Sequence, residues 1–266
     1  MDKRYLGAVI LSPLIIVLFV GGIYLKVLVA IISLLGIYEF FNIMKRKEYN
    51  PLTAIAGALT LFYYILLILN KSSLNNIFLI LAFSLFIMLS VPVLNDKYNF
   101  VDVAITLLGF FYVTVFFSFI VLVSEKDLGR YMVWTIFISA WMCDTVAYYS
   151  GKFFGKNKLC PKVSPKKTIE GSIGGLIGST VGCIGFGVFL NYLGVSIPLF
   201  NFLLIGFISG IFSQMGDLVA SSIKRYVGVK DYSNLIPGHG GILDRFDSIL
   251  FSSVVVYYYV TIIMGM

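Results

Sequence analysis

Eight ionisable side chains, Lys224, Arg225, Lys230, Asp231, His239, Asp244, Arg245 and Asp247, fall within 24 residues of a chain otherwise poor in charge. Among them lies Pro237-Gly238-His239-Gly240-Gly241, where glycines let the backbone approach a ligand and present successive N–H groups to an anion. Asp244 and Asp247 are three residues apart, so on a helix both point the same way. Upstream, Gln214, Asp217, Ser221 and Lys224 are spaced three, four and three apart, which at about 3.6 residues per turn places them on one stripe of a helix. Carboxylates grouped with cationic side chains are what phosphoryl or nucleotidyl transfer requires. Magnesium holds few protein oxygens and shares its remaining positions with phosphate oxygens and water, while lysine and arginine neutralise phosphate charge. Asp217, Asp244 and Asp247 supply the oxygens. A solvated loop and a polar helix contact are the bland alternatives.

These residues must be positioned by membrane helices. The chain has 266 residues, 59% of them hydrophobic and 12% charged, with a mean hydropathy of +0.95, far too apolar for a soluble domain. About 20 apolar residues cross a bilayer as a helix. Runs of that kind fall at roughly 5–24, 26–44, 51–70, 74–95, 100–124, 131–150, 171–193, 197–222 and 248–264, which predicts an all-α polytopic membrane protein with about nine spans. With nine, sixteen of the twenty Lys and Arg residues lie on the side of the N-terminus, six of them lysines between Lys152 and Lys167. That side is expected to be cytoplasmic. The net charge of +7 points to anionic headgroups and nucleotides rather than nucleic acid, because the basic residues sit in short loops with no soluble domain to dock a duplex. Residues 1–24 resemble a secretory signal but lack an A-x-A site, so they are read as an uncleaved span.

Most polar residues in or beside spans lie after residue 130. The expectation is one membrane domain over 1–266, with 1–125 a helical scaffold and 126–266 the catalytic half. An Asp inside a span costs about 2.5–3.5 kcal/mol on insertion scales; Asp144 in the sixth span and Asp217 in the eighth therefore call for a compensating cation. Glu39, near the cytoplasmic end of the second span, either snorkels to the interface or joins the site, and Asp102 is read as a span-edge residue. Gly174, Gly178 and Gly182, with Gly171 and Gly175 alongside, strip one face of the seventh span for close packing; no Gly-Lys-Ser/Thr follows that would make a P-loop. Cys143, Cys160 and Cys183 form no C-x-x-C pair and are read as small apolar filler. The paired lysines of Ser164-Pro165-Lys166-Lys167-Thr168 are, taken alone, equally an orientation signal or an attractor of anionic lipid.

Read together, these stretches resemble the phosphatidate cytidylyltransferases, or CDP-diacylglycerol synthases. The family's pattern S-x-x-K-R-x4-K-D-x-S-x2-I-P-x-H-G-G-x2-D-R-x-D is met without a gap from Ser221 through Asp247. Asp144-Thr145-Val146-Ala147-Tyr148, the Ser164–Gly175 stretch and Gly216-Asp217 add to it. The resemblance implies a magnesium-dependent reaction in which the phosphate of phosphatidic acid attacks the α-phosphorus of CTP and pyrophosphate leaves, at the cytoplasmic ends of the C-terminal helices of an inner-membrane protein. Asp217, Asp244 and Asp247 become the metal ligands, Asp144 a further ligand or a neighbouring carboxylate, and a monovalent cation such as K+ a second ion. Lys224, Arg225 and His239 become catalytic groups. Lys166, Lys167, Ser221, Lys230 and Arg245 become substrate contacts, with Ser233 a further hydroxyl for phosphate or base. His239, with an ordinary pKa of about 6.5, is read as a phosphate contact, since the attacking phosphate is already an anion. The resemblance also allows a homodimer.

Two other activities remain as alternatives: a CTP-dependent lipid or polyprenol kinase, and a cation-coupled transporter using Asp144 and Asp217. A transporter would carry repeated halves, whereas the polar residues here fall in one half. The D-G-x2-A-R pattern of CDP-alcohol phosphotransferases and the D-D-x-x-D runs of prenyltransferases are absent.

Overall fold

The computed structural model describes residues 15–69, 74–238 and 240–266. Residues 15–20 are helical, and positive φ angles of 67° and 57° at Gly21 and Gly22 separate them from α1, Gly22–Met44. Then follow α2 (Thr53–Ile68), α3 (Leu74–Leu94), α4 (Phe100–Ser124), α5 (Gly129–Phe154), α6 (Ile169–Tyr192), α7 (Leu199–Val227) and α8 (Leu243–Ile263). Five of these, namely α1, α4, α6, α7 and α8, are long and apolar enough to cross a membrane. The shorter apolar α2 and the Leu81–Leu94 part of α3 accompany them. Large apolar side chains such as Phe86, Val93, Tyr192 and Ile262 face outward, the reverse of a water-soluble fold. This is a polytopic all-α membrane protein. α5 is 26 residues long but stands outside the five because Asp144 and neighbouring Thr and Tyr residues dilute it. The first half of the first expected span lies outside the described residues.

The chain folds as two compact units. The first joins the residues up to Val121 with Tyr226–Arg245, so the glycine-rich loop groups with the N-terminal helices. Phe40, Phe41, Tyr63, Tyr64, Phe110 and Phe117 fill its core, and the tyrosine hydroxyls find partners: Tyr63 and Ser118 share a bond of 2.9 Å, and Tyr64 donates to the Thr114 carbonyl. Lys26, buried within α1, donates to the Leu67 carbonyl at 3.0 Å, in the last turn of α2, where helix carbonyls need partners from outside the helix. α4 opens on a capping box. The Asn99 side chain accepts from the amides of Val101 and Asp102, and Asp102 accepts from the Asn99 amide at 3.0 Å. Asp102 also takes the Asn50 amide at 2.6 Å, so this buried carboxylate does more than mark a span edge. One π-helical turn, Phe110–Val115, interrupts α4.

The second unit joins Leu122–Arg225 with Phe246–Met266. Its α6 lays the glycine stripe on α5. A Cβ at Gly178 would come to 2.5 Å from Val146 and one at Gly182 to 2.7 Å from Met142, while at Gly174 it would collide with Ser150. The close helix packing expected from the spacing is therefore present, and it fixes the helix that carries Asp144. Between α5 and α6 the sequence suggested only a loop. The chain instead forms an antiparallel hairpin, β1 (Lys158–Cys160) against β2 (Ser164–Thr168), with Lys158 opposite Thr168. Lysine and proline are poor strand formers, and the hairpin is held at its ends: Glu170 accepts from Asn157, and Thr168 caps α6 by accepting the Gly171 amide at 3.1 Å.

Candidate active site

Three carboxylates from three helices of the second unit come together, and small residues decide that they do. Gly216 on α7 lies against the backbone carbonyl of Asp247 on α8, where a Cβ would stand 2.5 Å from that oxygen; this close approach puts the neighbouring Asp217 beside Asp247. The negative charge felt by Asp247 comes first from Asp217 and then from Asp144 of α5, and Lys224 supplies positive charge. The Ser248 hydroxyl lies between two of them, 3.3 Å from Asp144 and 3.5 Å from Asp247. Asp247 also accepts the Ser248 amide at 2.8 Å.

Cationic groups answer this cluster. Lys167, at the end of β2, places its ammonium 2.5 Å from Asp217 Oδ2, while Ser221 donates to Asp217 Oδ1 at 3.2 Å. Lys224 is 8% exposed, which for a lysine demands anionic company. The predicted stripe on α7 is thus put to use: Asp217, Ser221 and Lys224 serve the cluster, and Gln214 pairs with Ser172 of α6, accepting its hydroxyl and donating to its carbonyl at 3.0 Å. A cavity of about 360 Å3 is lined by Asp144, Lys152, Lys166, Lys167, Gln214 and Asp217 among others. Its lining carries three lysines and two carboxylates.

The glycine-rich loop belongs to the first unit and behaves differently. Its amides point at carboxylates of the protein itself. Asp244 Oδ2 accepts from the amides of Tyr232 at 2.8 Å and Gly241 at 2.9 Å. Glu39 of α1 accepts from the amides of Ile242 at 2.9 Å and Leu243 at 3.0 Å, and from the Ser233 hydroxyl at 2.6 Å. The sequence suggested a nest for an anionic ligand at residues 237–241; of these, the Gly241 amide is taken by Asp244, and the following amides of Ile242 and Leu243 are taken by Glu39. Ser233, expected to meet phosphate or base, gives its proton to Glu39. Lys230, Arg245 and Arg225 are exposed, as is Lys166 on the hairpin. His239 lies outside the described residues.

The Cytidylyltransferase family model matches residues 2–263. The chain belongs to this family. A relative from Staphylococcus haemolyticus, named phosphatidate cytidylyltransferase, is 37% identical over 258 residues, covering 94% of this chain and 95% of the relative. Proteins of the same name from Staphylococcus saprophyticus and Staphylococcus aureus are 36% and 35% identical, each over 94% of this chain and 95% of their own length.

Nucleotidyl transfer of the kind cytidylyltransferases perform generally relies on a divalent metal. Among the described residues no three His, Cys, Asp or Glu side chains are grouped tightly enough to hold a metal by themselves. A small hard cation does not need that, because one or two carboxylates plus phosphate oxygens and water complete its shell. Asp217 and Asp144, whose charges both act on Asp247, are with it hard oxygen donors, and Lys167 on Asp217 marks where positive charge is wanted. The donor set fits. Ser248, Ser172 and the reach of Glu39 were missed in the sequence, where nothing distinguishes Ser172 and Ser248 from the other serines of an apolar helix. Glu39 carried one signal, a carboxylate in an otherwise uncharged run.

Proposed function

We infer that this chain is a phosphatidate cytidylyltransferase, moving the cytidylyl group of CTP onto phosphatidic acid to give CDP-diacylglycerol and pyrophosphate for phospholipid biosynthesis. The observation that carries the reading is the grouping of Asp144, Asp217 and Asp247 with Lys167 and Lys224, in a chain whose relatives bear that name over 94% of its length.

An oxygen of the phosphatidic acid phosphate attacks the α-phosphorus of CTP, and the bond to the β-phosphate oxygen breaks. Asp217 and Asp247 are the carboxylates assigned to a divalent cation, Mg2+ by their donor chemistry, with Asp144 the third acidic group and a monovalent cation such as K+ a second occupant. The bound cation supplies charge neutralisation at the phosphate oxygens. Lys166 and Lys167, at the cavity, contact phosphate, as do Lys224 and Arg225 at the end of α7; Lys230, Arg245 and His239 are assigned the same task from the loop. The nucleophile is already an anion, so no side chain has to remove a proton. Residues 126–266 bear this chemistry and 1–125 support it. The distribution of lysine and arginine favours an inner-membrane protein with the N-terminus and site facing the cytosol, where CTP arrives from water and the lipid from the leaflet. A homodimer is proposed on the family resemblance alone.

Purified protein, given phosphatidic acid, Mg2+ and CTP labelled at the α-phosphate, is expected to move label into the organic phase, and to lose that ability under a divalent-metal chelator until Mg2+ is restored. Label transferred only from the γ-phosphate would establish a lipid kinase instead.

A further inference from the structure

Glu39 is 3% exposed on a helix whose other buried side chains are apolar apart from Lys26 and Ser33. Placing a carboxylate there costs free energy unless its oxygens are satisfied. They are, and all by one segment: Oε1 accepts from Ser233 Oγ and the Ile242 amide, and Oε2 from the Leu243 amide. The segment is shaped to admit it. A Cβ on Gly241 would stand 2.6 Å from Glu39 Oε2, so any larger residue there would push the carboxylate out of this position. Ser233 in turn accepts the Leu235 amide at 3.1 Å, which extends the hold along the loop. The two amides open α8, and the positive end of a helix dipole favours a negative partner there. The same helix carries Asp247 about one turn further on.

We propose that Glu39 is a positioning residue for cytidylyl transfer: it touches no substrate, and it fixes the 233–243 loop and the first turn of α8 from the side of the N-terminal helices. The proposal rests on the function given above. A snorkelling glutamate would reach for water; this one is turned into the protein and spent on a distant stretch of chain.

Glu39→Gln keeps the shape but presents an NH2 group to one of the amides that Glu39 accepts. The expected result is a kcat lowered on the order of 10- to 100-fold, the scale at which small misplacements act, with the KM values for CTP and phosphatidic acid within about threefold of wild type. The amides of Ile242 and Leu243 should exchange hydrogen at least about tenfold faster, while the rest of α1 is unchanged. Normal kcat, a raised KM with kcat intact, or a loss of activity matched by loss of folded protein would each overturn the proposal. Ser233→Ala removes one bond of the three and is expected to lower kcat about two- to fivefold. In a Glu39→Ala background it should add nothing, since the two groups act as one; multiplying effects would refute the shared action. If wild type itself transfers no cytidylyl group, the functional reading falls and the clamp is judged by exchange alone, where unchanged protection at Ile242 and Leu243 sinks it.

Discussion

The two units treat their buried carboxylates in opposite ways. In the first, Glu39, Asp102 and Asp244 each accept at least two backbone amides, so their charge is absorbed by chain that must stay where it is. In the second, Asp144, Asp217 and Asp247 act on one another's charge, and one backbone amide, that of Ser248, reaches Asp247; the other groups that answer them are side chains: a lysine from a hairpin, two serine hydroxyls and Lys224. Amides cannot leave, whereas a lysine can exchange a carboxylate for a phosphate. The contrast separates acids that hold the fold from acids held ready for a ligand.

The sharpest way to break this contrast is Asp217→Asn. It removes a charge that the site is built to balance, and kcat is expected to fall on the order of 10³-fold. The melting temperature in detergent should stay within a few degrees, because one like charge beside Asp247 is lost along with one ion pair. A large drop in thermal stability with modest loss of turnover would place Asp217 with the structural acids. Asp244→Asn tests the border between the classes. An amide cannot serve the Tyr232 and Gly241 N–H groups as a carboxylate does, so turnover is expected to fall about 100-fold and stability by about 1–3 kcal/mol; turnover near wild type would remove Asp244 from the function. Lys167→Ala leaves the cluster short of one counter-charge, and a rise of about tenfold in KM for CTP or lipid is expected, measured in the label-transfer assay. Asp102→Ala marks the other extreme. Activity of the folded fraction should stay within about twofold, while the lost capping box costs about 1–2 kcal/mol of stability in a denaturation series.

Much of this was legible in the residues. The four-residue glycine spacing of α6 gave its packing on α5, because a helix face without side chains has one plausible use in a membrane, and the 3-4-3 spacing on α7 gave the polar stripe. What escaped was whatever depended on chain far away. Glu39 and Ser233 are 194 residues apart, and no local pattern links a lone glutamate in one helix to amides that open another. Asp102 was readable in principle, since Asn99 followed three residues later by an acid is the signature of a capped helix start; an apolar setting drew attention away from it. The hairpin was hidden because its strands are short, lysine-rich and contain Pro165, so composition spoke against it. The π-helical turn in α4, Phe110–Val115, leaves no mark in the period of the apolar residues.

Lys167 hangs from a strand end rather than from a helix. Its ammonium reaches Asp217 on a flexible four-carbon stem that is 27% exposed, so trading one partner for another needs only rotations about side-chain bonds, which take picoseconds to nanoseconds. No transmembrane segment has to slide for the resting counter-ion to step aside.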